Sequence, residues 1–290
     1  MSYMRFNFKS QAVGCNVDVG VVIPLENYFY YDASKGLKHH LPPDATVLPP
    51  LKPGMKFQTV YFLHGGGEDD TVPFRFTNLE WYAIKNNVMV VAPNIGNSFG
   101  ADTNYGANYG TFINEELPCV IRALFPSSEK REDNYIVGYA MGGNAVLSAA
   151  IMHPENYSVC VDMSGGIGYT LCTDTLKQEL NSDHFRKSFK IYNATFGEAD
   201  ELEGSRHDLY KVACEKKASG VLLTKFYIIC GSDEFIRTRV EDDAKTLEQI
   251  GYDVEYICID GYKHEFPLWN YALQQVFGKL LPFTRDPSSY

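Results

Sequence analysis

Apolar positions along the chain gather into short runs set between segments of helical spacing. The runs Val17–Ile23, Thr59–Leu63, Val88–Ala92, Tyr135–Gly138, Ser158–Met163, Thr224–Cys230 and Val254–Ile259 are rich in β-branched and aromatic residues, which predicts strands. Several are apolar throughout, as strands covered on both faces must be. Between them, Phe112–Phe125 sets Ile113, Leu117, Ile121 and Leu124 on one stripe, and Asn144–Met152, Arg237–Ile250 and Leu268–Leu280 also read as helices. Gly251 follows its helix where a left-handed closing residue belongs. The alternation predicts an α/β fold with a mostly parallel sheet and helices on both faces. Two stretches break the rhythm. Residues 28–57 contain Pro42, Pro43, Pro49, Pro50 and Pro53, which suits an extended surface excursion and excludes a central strand. Residues 169–219 are far longer than one crossover needs and predict a lid-like insertion. The chain is therefore read as one domain over residues 1–290 with two elaborations.

Composition narrows the possible partners. A hydrophobic fraction of 45% is that of a globular protein, and a net charge of −10 argues against nucleic acid. No run of about 18 apolar residues is present to span a membrane. The opening MSYMRFNFKS has no apolar core of a signal peptide. Seven cysteines, odd in number and without CxxC spacing, predict a reduced, cytoplasmic protein. The histidines lack ligand spacing such as H-x-x-x-H, so no metal is expected, and the chemistry below needs no cofactor.

Four motifs carry that chemistry. The segment Asn134-Tyr-Ile-Val-Gly-Tyr-Ala-Met-Gly-Gly143 runs from a strand through Gly-x-Ala-x-Gly into a helix. With serine at position 140 it would be a nucleophile elbow, whose turn is too tight for side chains at Gly138 and Gly142. Leu63-His-Gly-Gly-Gly67 follows a strand and has the form of a loop that lends backbone N–H groups to an oxyanion. The expected donors are the amides of Gly66 and Met141, with His64 packing the loop. His264, in Gly261-Tyr-Lys-His264-Glu-Phe, is the one histidine placed after the last strand and before the last helix, where a general base would stand. The acid should follow the preceding strand, where Cys230-Gly-Ser-Asp233-Glu234-Phe offers two carboxylates. Neighbouring side chains diverge, so only one can serve, and both remain candidates here. Around these motifs, Gly65, Gly67, Tyr105, Tyr109, Tyr139 and Trp269 are candidates for contact with substrate, the aromatic faces suiting sugar or phenolic groups.

Taken together, LHGGG (63–67), VVAPN (90–94), YGTFINEELPCVIRALFP (109–126), GYAMGG (138–143), CGSDEF (230–235) and GYKHEFPLW (261–269) resemble the esterase D / S-formylglutathione hydrolase family, with its tributyrin, acetylxylan and feruloyl esterases. The resemblance covers residues from about Gln58 to Leu281. It implies an α/β-hydrolase fold and serine carboxylic-ester hydrolysis of short acyl, acetyl or feruloyl esters, with carbohydrate-linked esters leading. Relatives often self-associate, so the resemblance leaves a homo-oligomer open for this chain, whose sequence does not itself fix an oligomeric state. Family members read G-x-S-M-G-G at the elbow and G-T-E-D-F at the acid loop, so the family acid falls on Glu234, beside Asp233.

The departure is Ala140, a methyl group with neither nucleophile nor proton to give. Neighbours do not substitute: Ser164 follows another strand without an elbow, and Cys230 reads as a buried packing residue. Either a native serine was deliberately replaced, giving an inactive mutant, or the chain is a natural pseudo-esterase that binds an ester or sugar. The intact remainder of the motif set favours replacement.

Overall fold

The computed structural model describes residues 2–24, 54–167, 191–197 and 201–284. Its frame is an eight-stranded sheet of β1 (Ser2–Lys9), β2 (Asn16–Ile23), β3 (Thr59–Leu63), β4 (Met89–Pro93), β5 (Asn134–Tyr139), β6 (Val159–Met163), β7 (Lys225–Gly231) and β8 (Val254–Ile259). The spatial order is β1-β2-β4-β3-β5-β6-β7-β8. β1 and β2 form an antiparallel hairpin and β2 pairs antiparallel with β4, whereas β3 to β8 are parallel throughout. Parallel strands end on the same edge, so the loops after β3, β5, β6, β7 and β8 are brought side by side.

The helices are α1 (Val72–Phe76), α2 (Leu79–Asn86), α3 (Leu117–Leu124), α4 (Met141–Met152), α5 (Ile191–Phe196), α6 (Leu209–Ala218), α7 (Arg237–Ile250) and α8 (Phe266–Gln275). Alternate residues of each central strand feed two cores. Tyr61 and Leu63 of β3 face the layer holding Leu117, Ala145 and Val240, whereas Val60 and Phe62 face Leu79, Ala83 and Leu268. α4 is buried from Met141 to Ile151, which fixes the N-terminal end that bears the elbow.

Several sequence expectations are refined. β1 was not foreseen: its residues alternate along an edge strand, with Phe6 and Phe8 half-buried between exposed Arg5, Asn7 and Lys9. The helix predicted over Phe112–Phe125 is interrupted, because a π turn at Phe112–Glu116 precedes α3. Pro118 has no N–H for the Asn114 carbonyl, which instead accepts from Asn156 Nδ2 at 2.8 Å. Gly251 closes α7 at φ 104°, its N–H donating to Leu247 and Glu248. Of the two elaborations, residues 28–53, 169–190 and 198–200 lie outside the described residues. The remainder of the second is not all insertion: α6 packs on α4 and α7 and serves as the crossover helix into β7.

Candidate active site

The loop after β3 is held rigid by side chains that use two of its three glycine amides. The Gly65 N–H donates to Glu68 Oε2 at 3.1 Å and the Gly67 N–H to Asn97 Oδ1 at 2.6 Å. Among the described residues the Gly66 N–H has no partner. His64 is buried beneath the loop. Its Nδ1 donates to the Gly65 carbonyl at 2.8 Å and its Nε2 accepts the Ile95 N–H at 3.0 Å, which sets one neutral tautomer. Burial pushes the His64 pKa down.

The chain bends sharply after β5. Ala140 has φ 51° and ψ −123°, a conformation nearly confined to glycine. The bend is enforced from outside: the Ala140 N–H extends the ladder to the Met163 carbonyl at 2.9 Å. A Cβ on Gly142 would lie 2.1 Å from the Leu63 carbonyl oxygen, and one on Gly138 would lie 2.4 Å from that of Gly142. Met141 opens α4, so its N–H is among those a helix leaves without an intrahelical partner. A Cβ on Gly66 would stand 3.8 Å from Met141 Cβ, so the two amides come from adjoining backbone.

The β7 and β8 loops supply a hydrogen-bonded acid–imidazole pair. His264 Nδ1 lies 2.8 Å from Glu234 Oε2, leaving Nε2 for the cavity. The other oxygen, Oε1, accepts the Gly231 N–H at 2.8 Å and the Ser164 hydroxyl at 2.6 Å. Burial pushes the Glu234 carboxyl up, but hydrogen bonds from His264, Ser164 and Gly231 outweigh it and hold the group below the usual range. The imidazole is set between the rings of Phe235 and Trp269, at centroid distances of 5.3 and 5.1 Å. Asp233, the other candidate acid, is excluded from this pair. It is exposed and accepts from the Ser232 hydroxyl at 2.9 Å, because the turn sends adjacent side chains to opposite sides.

One cavity of about 300 Å³ joins these parts, with Gly65, Gly66, Ala140, Met141, His264 and Trp269 in its lining. Phe99, Phe235 and Ile236 make its walls largely apolar, and Glu68 is the one acidic residue in its lining. Four other sequence candidates do not line it. Gly67 faces Asn97, Tyr105 is exposed, and Tyr109 packs edge-on against Phe112. Tyr139 is buried one layer below, stacked on Trp269 at 4.5 Å with its hydroxyl on Glu68. Two polar residues of the lining are given no role by the sequence, Ser164 being weighed only as a nucleophile. Glu68 and Ser164 have no motif of their own, and only folding brings them to the cavity. Among the described residues no cluster suited to a metal ion occurs, six cysteines are free, and no helix is long and apolar enough to cross a membrane.

The Esterase family model matches residues 37–278, more than half of the chain. The chain belongs to the Esterase family. It is thus a carboxylic ester hydrolase by descent, and its mostly parallel sheet is that of the α/β-hydrolases. An acetyl esterase of Caldicellulosiruptor saccharolyticus is 27% identical to it over 241 residues, covering 80% of this chain and 89% of the relative. Among solved structures, the substrate-bound fluorophosphonate-binding serine hydrolase F of Staphylococcus aureus superposes with a TM-score of 0.78 at 24% identity, covering 97% of this esterase and 98% of that chain. The S-formylglutathione hydrolase of the same organism gives 0.75 at 24% identity with the same coverage.

Proposed function

We propose that the site is that of a serine carboxylic-ester hydrolase for short acyl and feruloyl or acetyl esters, represented here without its nucleophile. One observation carries the reading: the bend at Ala140, the Glu234-held imidazole of His264 and the backbone of Gly66 and Met141 all line one cavity. With serine at 140, its Oγ attacks the ester carbonyl carbon while His264 Nε2 takes the proton. The carbonyl oxygen gains the negative charge and accepts from the two amides. Collapse expels the alcohol, which receives the proton from His264, and water repeats both steps on the acyl-enzyme.

Apolar walls support a neutral acyl or aryl group, and Glu68 in the lining supports a hydroxyl-bearing alcohol such as a sugar. The same carboxylate and the net charge of −10 disfavour S-formylglutathione, whose glutathione moiety is anionic. In its Ala140 form the chain retains both amides and the cavity, which supports binding of an uncleaved ester.

Ala140→Ser tests the reading. We expect hydrolysis of p-nitrophenyl acetate and of feruloyl and acetyl sugars to rise by roughly 10⁴–10⁶-fold over the Ala140 chain. The new serine should also be labelled by a fluorophosphonate probe that leaves the Ala140 chain unmarked. A folded Ala140→Ser protein that neither turns over these esters nor takes the probe would overturn it.

A further inference from the structure

We infer that Ser164 is a positioning residue, whose hydroxyl holds Glu234 in the rotamer that presents Oε2 to His264; this rests on the proposed roles of those two residues. Ser164 stands directly after β6, 1% exposed, at φ 65°. A serine kept in the left-handed region carries strain that its surroundings must impose. They do so from several sides. Its N–H donates to the Ile229 carbonyl at 2.8 Å. The Asp162 carboxylate accepts the next two N–H groups, from Gly165 at 2.7 Å and Gly166 at 3.1 Å. Asn144 Nδ2, from the first turn of α4, donates to the Gly166 carbonyl at 2.6 Å. The loop cannot relax without breaking these bonds.

The direction of the hydroxyl follows from its partners. Trp269 Nε1–H can only donate, and it reaches Ser164 Oγ at 3.2 Å. The oxygen is thereby an acceptor towards Trp269, and its proton goes to Glu234 Oε1, 2.6 Å away. The acid here has a side chain one methylene longer than aspartate and one more rotor to fix. Gly231 N–H and Ser164 Oγ–H both grip Oε1, which leaves Oε2 for the imidazole. A chain of donation thus runs from β8's following helix through the β6 loop to the β7 acid. It joins a helix and two loops that the sequence separates by many residues.

Two readouts test this, one of which needs no nucleophile. In the Ala140 chain as it stands, the proton on His264 Nδ1 should give a far-downfield NMR resonance from its bond to Glu234. Ser164→Gly removes the hydroxyl and relieves the left-handed strain, so it should fold at least as well while that resonance moves upfield or broadens. Ser164→Ala repeats the loss without glycine's freedom. In the Ala140→Ser background, each variant should lower kcat about tenfold with KM within about twofold. A raised KM with unchanged kcat would make Ser164 a substrate contact instead, and overturn the inference. An unshifted His264 resonance in folded Ser164→Gly would overturn it as well. If Ala140→Ser proves inert, the proposed esterase reading fails, but the resonance still decides whether Ser164 positions Glu234.

Discussion

The charge on Glu234 is held by three donors in a nearly enclosed place, and each matters for a different reason. The bond to His264 selects the tautomer with Nε2 unprotonated, and together with the bonds from Ser164 and Gly231 it outweighs burial and holds the carboxyl below the usual carboxylate range. Glu234→Gln in the Ala140→Ser background keeps the shape but lets the imidazole adopt the wrong tautomer. We expect kcat to fall about 10⁴-fold with the fold intact. Asp233→Asn, exposed and apart from the imidazole, should leave kcat within about twofold, and steady-state kinetics on one acetyl ester compares both. The sequence narrowed the proposed acid to two adjacent positions because strand order dictates which loop would carry it. It could not choose between them, since that depends on which side chain the turn drives inward. Ser164 was legible only as a serine without an elbow, because its role is created by β6 and β7 lying side by side.

At the scale of elements, the elbow is a packing problem solved by glycine. β5 and α4 meet so closely that Gly142 touches the carbonyls of Leu63 and His64, and Gly143 abuts the Asp162 carboxylate. Gly142→Ala would put a methyl 2.1 Å from a backbone oxygen, where no side-chain rotation relieves it. We expect it to cost about 3–5 kcal/mol, read as a lower urea midpoint with an unchanged m-value. The Gly-x-Ala-x-Gly pattern was readable because such contacts permit nothing else. The break in the helix before α3 was not, although Pro118 caused it: apolar spacing continues through a π turn with little change. β1 was missed for a related reason, since an edge strand buries too little to leave a strong pattern.

At the scale of the whole fold, three carboxylates from separate elements, Asp162, Glu234 and Asp243, come close enough for Asp162 to feel the other two. Asp162 is fully buried and is pushed up to about 7, first by burial and further by the charges of Asp243 and Glu234, against two backbone N–H donors. In the unfolded chain an aspartate titrates near 3.9. With the folded value raised, its contribution to stability is complete below about pH 4 and is lost as pH rises towards 7. Asp162→Asn cannot titrate. The melting temperature of the parent should therefore fall relative to this variant as pH rises from about 4 to about 7, a trend that calorimetry across the window checks. A constant offset would count against it. The parallel sheet was legible from its apolar runs, but this burial was not, because nothing local marks Asp162 as enclosed.

The unusual backbone at Ala140 is drawn by its neighbours: the ladder bond to Met163, the carbonyls crowding Gly142 and the enclosed helix behind it. The residue occupying the bend contributes nothing to making it. Any short side chain ending in one reactive atom, a thiol or selenol as readily as a hydroxyl, would arrive already aimed at the chamber, so the scaffold is a preset socket for exchanging nucleophiles.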